Sequence, residues 1–285
     1  MSVTLIKELE ILISAHDTEA STNLCLVDCL AKYYRFNPNA SQGGDYSKNV
    51  GEKYIKREDW KARCPVIEKG RSFEPYLEID PKFAQEDNDN TTIPQLQSTF
   101  FGIALHHAGN TGYKTPLEVQ NLHIDEKDRA DIGYHFAIGL DGKVYEGRPI
   151  GVKGSHLSKY NTGVIGIVFL GDFDHQWYEP DDNMTRDAIR SAMLLIIALK
   201  EQFTNIVALG GHKEWKHNSA RFCPGDHGME YVKGLRNVLK DNTTNLPIFL
   251  SPKEAGHGEE EKPLTSAQKR QYDNAIHPLP PGPKW

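Results

Sequence analysis

The sequence has no apolar run near the roughly 18 residues that a membrane-crossing helix needs, so no membrane insertion is expected. An export signal is also missing from its usual place. The opening MSVTLIKELEILISAHD carries Lys7, Glu8 and Glu10 where a signal peptide requires unbroken apolar chain, so the reading is synthesis in the cytoplasm without a signal peptide. Cysteine is scarce: Cys25, Cys29, Cys64 and Cys223 make no disulfide framework and suit a reducing compartment. Cys25 and Cys29, spaced for one helix face, read as packing residues, and Cys64 has no evident partner. There is no basic block. Lys and Arg total 33 against 39 Asp and Glu, a net charge of −6, which argues against nucleic acid or an anionic membrane as partner. No internal repeat divides the chain.

What is present is a globular composition. Of 285 residues, 38% are hydrophobic and 25% charged, enough for a sizeable core in one or two domains. Leu5, Ile6, Leu9, Leu12 and Ile13 recur at helical spacing, and Leu26, Cys29, Leu30 and Tyr33 mark a second helix. The stretch RFNPNASQGGDYSKNVG that follows reads as a linker. The expected layout is a small helical N-terminal unit with its linker over 1–50, a principal domain over 54–240, and a flexible tail over 250–285. That tail, with SPKEAGHGEEEKPLTSAQKRQ and HPLPPGPKW, is polar and Pro-rich and is expected to be disordered.

Within 54–240, strand-like and helix-like segments alternate, which predicts an α/β domain. FFGIALHH (100–107) is a short apolar run, and VIGIVFL (164–170) reads as a strand buried on both faces. Thr115-Pro116-Leu117-Glu118 is a helix start: a capping hydroxyl, a proline at the first helical position, and a carboxylate able to reach back to the cap amide. That helix is expected to run to about Ile124. Asp141-Gly142 predicts a hairpin between segments 133–140 and 143–148, because Gly tolerates positive φ. Ala188, Ile189, Ala192, Met193, Ile196 and Ile197 share one face of a helix over 185–203. Asn205 to Leu209 reads as a strand, and Asp226 as the cap of a last helix with Met229, Val232, Leu235 and Leu239 inward.

The 12 histidines are unevenly spread, and several metal-capable side chains fall at element ends. His106 and His107 end a predicted strand, His212 follows NIVALGG, and Cys223 sits in Phe222-Cys223-Pro224-Gly225 before the last helix. Two strand ends and a loop can converge on one point of a sheet rim. Three protein ligands leave one position of a zinc ion open, as catalysis needs, and a His/His/Cys set suits zinc better than hard cations. The plainer reading is a surface His pair and a buried cysteine acting as a small hydrophobe.

A series of short stretches resembles the N-acetylmuramoyl-L-alanine amidase and peptidoglycan-recognition-protein family, which includes bacteriophage endolysins. They are IKREDWKAR (55–63), IALHH (103–107), VQNLH (119–123), DIGYHF (131–136) and DGKVYEGR (141–148). GSH (154–156) with Asn161, IGI (165–167), GHKE (211–214) and CPG (223–225) continue them, in family order over roughly 54–240. The resemblance implies a central mixed β-sheet flanked by helices and a Zn²⁺ held by His106, His212 and Cys223. It further implies Tyr134 beside the metal and Arg221, two residues before the cysteine, facing the substrate carbonyl. An arginine there can stabilise an oxyanion but cannot act as general base, since its guanidinium stays protonated.

By the same resemblance His123, His156 and Asn161 contact the glycan or stem peptide; otherwise they are an ordinary helix-end histidine and polar loop residues. His107 reads as supporting or structural. Glu214 either orients a ligand or is a solvated carboxylate. The interval KEWKHNSARF between His212 and Cys223 is longer than the family's usual one and offers His217 as a rival ligand.

The function implied is hydrolysis of the amide between N-acetylmuramic acid and L-alanine, with peptidoglycan as partner. Lacking an export signal, such an enzyme reaches the wall in the periplasm or outside the cell through lysis, as an endolysin, or through secretion machinery, as an antibacterial effector with an immunity protein. One alternative is a non-catalytic peptidoglycan-binding module, disfavoured by a complete ligand set. Another is a cytoplasmic muropeptide-recycling amidase, disfavoured by Val168, where that branch carries Glu. A zinc deaminase is rejected because Pro-Cys-x-x-Cys is absent.

Overall fold

The two apolar strand segments differ in what they place on their two faces, and that difference organises the domain. The computed structural model describes residues 54–67, 70–74, 76, 98–109, 112–174, 182–219, 222–239, 249–259 and 266. The unit expected over 1–50, and with it Cys25 and Cys29, lies outside these residues, as does Arg221.

Six strands form one mixed sheet: β1 (Tyr54–Ile55), β2 (Gly102–His107), β3 (Phe136–Ile138), β4 (Val144–Glu146), β5 (Val164–Phe169) and β6 (Ala208–Gly211), in the order β1-β4-β3-β5-β2-β6. Every pairing is parallel except β3 with β4. That antiparallel pair is the hairpin predicted at Asp141-Gly142, where Gly142 has φ +75°. β5 is central and buried throughout, as its continuous apolar run requires. The last strand falls later than expected: Asn205 to Val207 lead in, and Ala208–Gly211 pair with β2.

Side chains alternate across each strand. Ile103 and Leu105 of β2, Ile165, Ile167 and Phe169 of β5, and Phe136 and Ile138 of β3 fill the main core with helices α2 (Arg186–Gln202) and α3 (Asp226–Leu239). Leu194, Leu195, Ile196 and Leu199 of α2 and Val232, Leu235 and Leu239 of α3 complete it. Thr185 caps α2 by accepting from the Ala188 amide. Asp226 is the first residue within α3, whereas the sequence pattern places it at the cap.

The opposite face is paved with small residues. The ladder places Ala104 beside Gly166, and His106 beside Val168 with Ala137 next to it. This leaves room above the sheet for rings. Helix α1 (Pro116–Asn121) lies on this side, started by Thr115 and Glu118 in a complete capping box. It ends before Ile124 as an α-helix and continues as a π-helical turn over Leu122–Glu126, which carries His123.

The stretches read from the sequence as IKREDWKAR, VQNLH and DIGYHF meet in one polar knot. Asp131, fully buried, accepts from Gln120 Nε2 at 2.6 Å, from the Ile132 amide at 2.7 Å and from Arg57 Nη2 at 3.1 Å. The Trp60 indole donates to the Glu146 carbonyl at 2.8 Å. These contacts fasten the segment after β1 to α1 and to the entry of β3.

One boundary is corrected. Residues 250–259, which read as tail from their polarity, pack on the domain together with Phe249. Phe249 is buried, Leu250 bridges Ala208 in parallel, and Pro252 lies against Gly210. A short apolar pair adds to the sheet edge beside β6, and composition alone does not reveal it. Among the described residues no helix is long and apolar enough to cross a membrane.

Candidate metal centre

Alternation sends the two adjacent histidines of β2 to opposite faces. His107 points into the helix-covered side, with Nδ1 3.3 Å from the Phe173 amide and 3.3 Å from Asp172 Oδ1. His106 points to the small-residue face. There it meets His212, from the 3₁₀ turn His212–Glu214 after β6, and Cys223. One ligand atom from each of the three lies within 4.8 Å of the others. Cys223 Sγ is 3.5 Å from His106 Nδ1. Metal–nitrogen and metal–sulfur bonds of about 2.0–2.1 and 2.3 Å meeting at a tetrahedral angle put ligand atoms roughly 3.5 Å apart, the separation of the Cys223–His106 pair.

The backbone holds the three together. The Lys213 amide donates to the Cys223 carbonyl at 3.2 Å, tying the ends of the long intervening loop. Glu214, left open by the sequence between two roles, forms a paired contact with Arg236 at 2.6 and 2.9 Å and accepts from the Gly211 amide at 2.9 Å. It thus anchors the turn bearing His212 to α3. His217 is exposed, with φ +64°, and takes no part in the ligand group.

His156, which the resemblance assigns to substrate, lies against His106. Only 5% exposed, it has Nδ1 3.0 Å from His106 Nε2 and Nε2 3.2 Å from the Val164 carbonyl. A carbonyl only accepts, so His156 carries its proton on Nε2 and accepts at Nδ1. His106 must then donate from Nε2, which frees the Nδ1 lone pair toward Cys223. Glycines make this possible: a Cβ on Gly166 would lie 2.6 Å from the His156 ring, and one on Gly154 2.5 Å. Asn161 supports this placement. Its Oδ1 accepts from the His156 and Leu157 amides at 2.8 and 2.7 Å and its Nδ2 donates to the Leu157 carbonyl, so it shapes the loop that seats His156.

His123 is buried beside Tyr134, ring centroids 5.4 Å apart. Its Nδ1 accepts from the Gly133 amide at 2.9 Å, and its Nε2 lies 3.2 Å from Arg129 Nη1, which also donates to the Ser155 carbonyl. Tyr134 stands 4.9 Å from the His106 ring. Burial, with Cys223 adding to it, raises its pKa above the usual phenol value, so it remains a donor at neutral pH. Burial first, then neighbouring His212 and His156, holds His106 well below the ordinary imidazole range. Burial does the same for His123 and His156, with Arg129 adding to both. The sequence gives no hint of Arg129 at this site, since a lone arginine among KDRAD carries no signal.

Comparison with known proteins gives consistent matches. A family model described as N-acetylmuramoyl-L-alanine amidase matches residues 97–226. Peptidoglycan-recognition protein SC1a of Drosophila melanogaster is 35% identical over 137 residues, 46% of this chain and 70% of that protein. Peptidoglycan-recognition protein SC2 of Drosophila simulans is 50% identical over 156 residues, 52% of this chain and 80% of its own length. The solved structure of Drosophila PGRP-LB wild-type is similar over 63% of this chain and 92% of that chain, at 26% identity and a TM-score of 0.45.

Proposed function

Because the chain belongs to the family of N-acetylmuramoyl-L-alanine amidases and peptidoglycan-recognition proteins, we propose that it is a zinc hydrolase of peptidoglycan. The bond cut is the amide joining N-acetylmuramic acid to the L-alanine of the stem peptide. The observation that carries this reading is the meeting of His106, His212 and Cys223 within 4.8 Å. Two imidazoles and a thiol suit zinc, and three protein ligands leave a position open. Bound there, zinc supplies Lewis acidity toward water and an amide carbonyl.

The protein's own groups supply orientation and charge. Tyr134, kept protonated, is a hydrogen-bond donor at the site, and the Arg129 guanidinium beside His123 adds a fixed positive charge. Arg221 belongs to the proposal as an oxyanion-stabilising cation, by its place two residues before Cys223. Val168, beside His106 across the ladder and fully buried, presents an apolar wall where a recycling amidase would carry a carboxylate. Recognition without catalysis is the second reading, favoured by the names of the relatives; the ligand set, complete here, weighs toward the enzyme. The reading places the action at the cell wall, reached by lysis as an endolysin or by secretion as an effector.

The test is mass spectrometry of products from defined muropeptides. Release of an intact stem peptide beginning with L-alanine, sensitive to chelator and lost in Cys223→Ala, is the expected result. Binding without cleavage by the zinc-loaded protein would return the recognition reading.

A further inference from the structure

The long loop between His212 and Cys223 has a use. Its Asn218 is 1% exposed, and its amide orientation is set by four contacts. Nδ2 donates to the Lys216 carbonyl at 2.7 Å and to the Ser158 carbonyl at 3.2 Å. Oδ1 accepts from the Ser158 amide at 2.8 Å. Carbonyls only accept and amide N–H groups only donate, so the oxygen and nitrogen cannot be exchanged. The fourth contact is Oδ1 to His212 Nε2 at 3.0 Å. An acceptor there requires His212 to donate from Nε2 and leaves Nδ1 for a metal.

The loop is held from outside by residues 249–259. The Lys216 amide donates to the His257 carbonyl at 3.1 Å, and the Glu259 amide to the Glu214 carbonyl at 3.3 Å. Glu259 accepts from the His217 amide at 3.3 Å and from the Ser219 hydroxyl at 3.2 Å, on either side of Asn218. His257 stacks on Phe101, ring centroids 4.1 Å apart, and its Nδ1 lies 3.0 Å from the Tyr160 hydroxyl. At the other end, Leu209 donates to the Leu250 carbonyl and Leu250 to the Val207 carbonyl, both at 2.9 Å. Residues 249–259 thus run from β6 to the ligand loop as a strap.

We propose that Asn218 is a positioning residue that selects the Nδ1 atom of His212 for the metal, and that the strap 249–259 holds Asn218 in place. The inference rests on the proposed metal centre for its purpose, and on the contacts above for its geometry. Losing such an outer partner of a ligating histidine typically weakens metal affinity about 10- to 100-fold.

The test reads the His212 ring proton directly, by nitrogen-15 correlation in the metal-free full chain, alongside zinc affinity by chelator competition. In the unaltered protein His212 carries its proton on Nε2. In Asn218→Ala the signals move toward an average of the two tautomers and zinc binds about 10- to 100-fold more weakly. Glu259→Ala, which removes the side-chain contacts on either side of Asn218, shifts both readings the same way by less and speeds amide exchange over 216–219. It also carries the test should Asn218→Ala fail to fold. A proton on Nδ1 of His212 in the unaltered protein, or tautomer and affinity unmoved in both variants, overturns the proposal. Should the unaltered protein bind no zinc, the metal reading fails, while the tautomer shift still decides the role of Asn218.

Discussion

His156 Nδ1 lies 3.0 Å from His106 Nε2, and a carbonyl, that of Val164, stands behind the pair. One ligand of the metal centre is therefore oriented by a chain of fixed donors and acceptors beginning in the backbone of β5. His156→Ala removes the acceptor and leaves His106 free to take either tautomer. Zinc affinity should fall about 10- to 100-fold. Gly166→Ala should do the same indirectly, by pushing the His156 ring off the strand. Chelator competition on both variants, with circular dichroism to confirm the fold, checks this; unchanged affinity in His156→Ala contradicts it.

The sequence exposes the local and periodic features and conceals the ones made by folding. Thr115 and Glu118 are readable as a capping box because every partner lies within four residues. The alternation in IALHH and VIGIVF already separates large residues from small, and so separates His107 from His106. The burial of His156 is hidden for a physical reason: a polar residue in a Gly-rich loop reads as exposed. What buries His156 is the space left by Gly154 and Gly166, the latter on a neighbouring strand. The strap is hidden by its composition, since Phe249 and Leu250 are a short apolar pair in a polar stretch. Asn218 stands in the one interval that departs from the family's length, and that departure is the available signal.

Glu214 and Arg236 are both largely buried, and their pairing fixes the turn that carries His212. Removing one partner strands the other charge, which typically costs ~3–5 kcal/mol. Glu214→Ala should lower the unfolding midpoint in denaturant accordingly and also weaken zinc binding, because the Gly211 amide loses its acceptor. A stability loss with zinc affinity intact would separate the pair from the metal centre.

Acid should destabilise the metal-free protein well above the carboxylate range. His135 is buried, with its pKa lowered from 6.5 to about 4 by burial. Between those values the unfolded chain binds a proton that the folded protein refuses, so stability falls as pH drops from about 6.5 to about 4 and levels below. The full contribution is ~3 kcal/mol at 1.36 kcal/mol per unit. His106, His123 and His156 are lowered in the same sense and steepen the fall. Denaturant titrations of the chelated protein across this interval check the slope; a flat profile contradicts it.

Tyr134→Phe separates catalysis from metal binding. The hydroxyl lies outside the proposed ligand set of His106, His212 and Cys223. Its loss should leave zinc content at the wild-type level. The proposed role is a hydrogen bond to charge that develops during the reaction, and removing one such donor typically lowers turnover about 100- to 1000-fold. Because burial holds the phenol protonated above its usual range, the variant should lose rate uniformly across neutral pH rather than shift the alkaline limb. Single-turnover cleavage of a soluble muropeptide at several pH values, with zinc quantified on the same samples, reads both effects. Wild-type turnover in a zinc-loaded Tyr134→Phe protein would remove the hydroxyl from the reaction and shift the charge-stabilising role to the cations, Arg129 and Arg221.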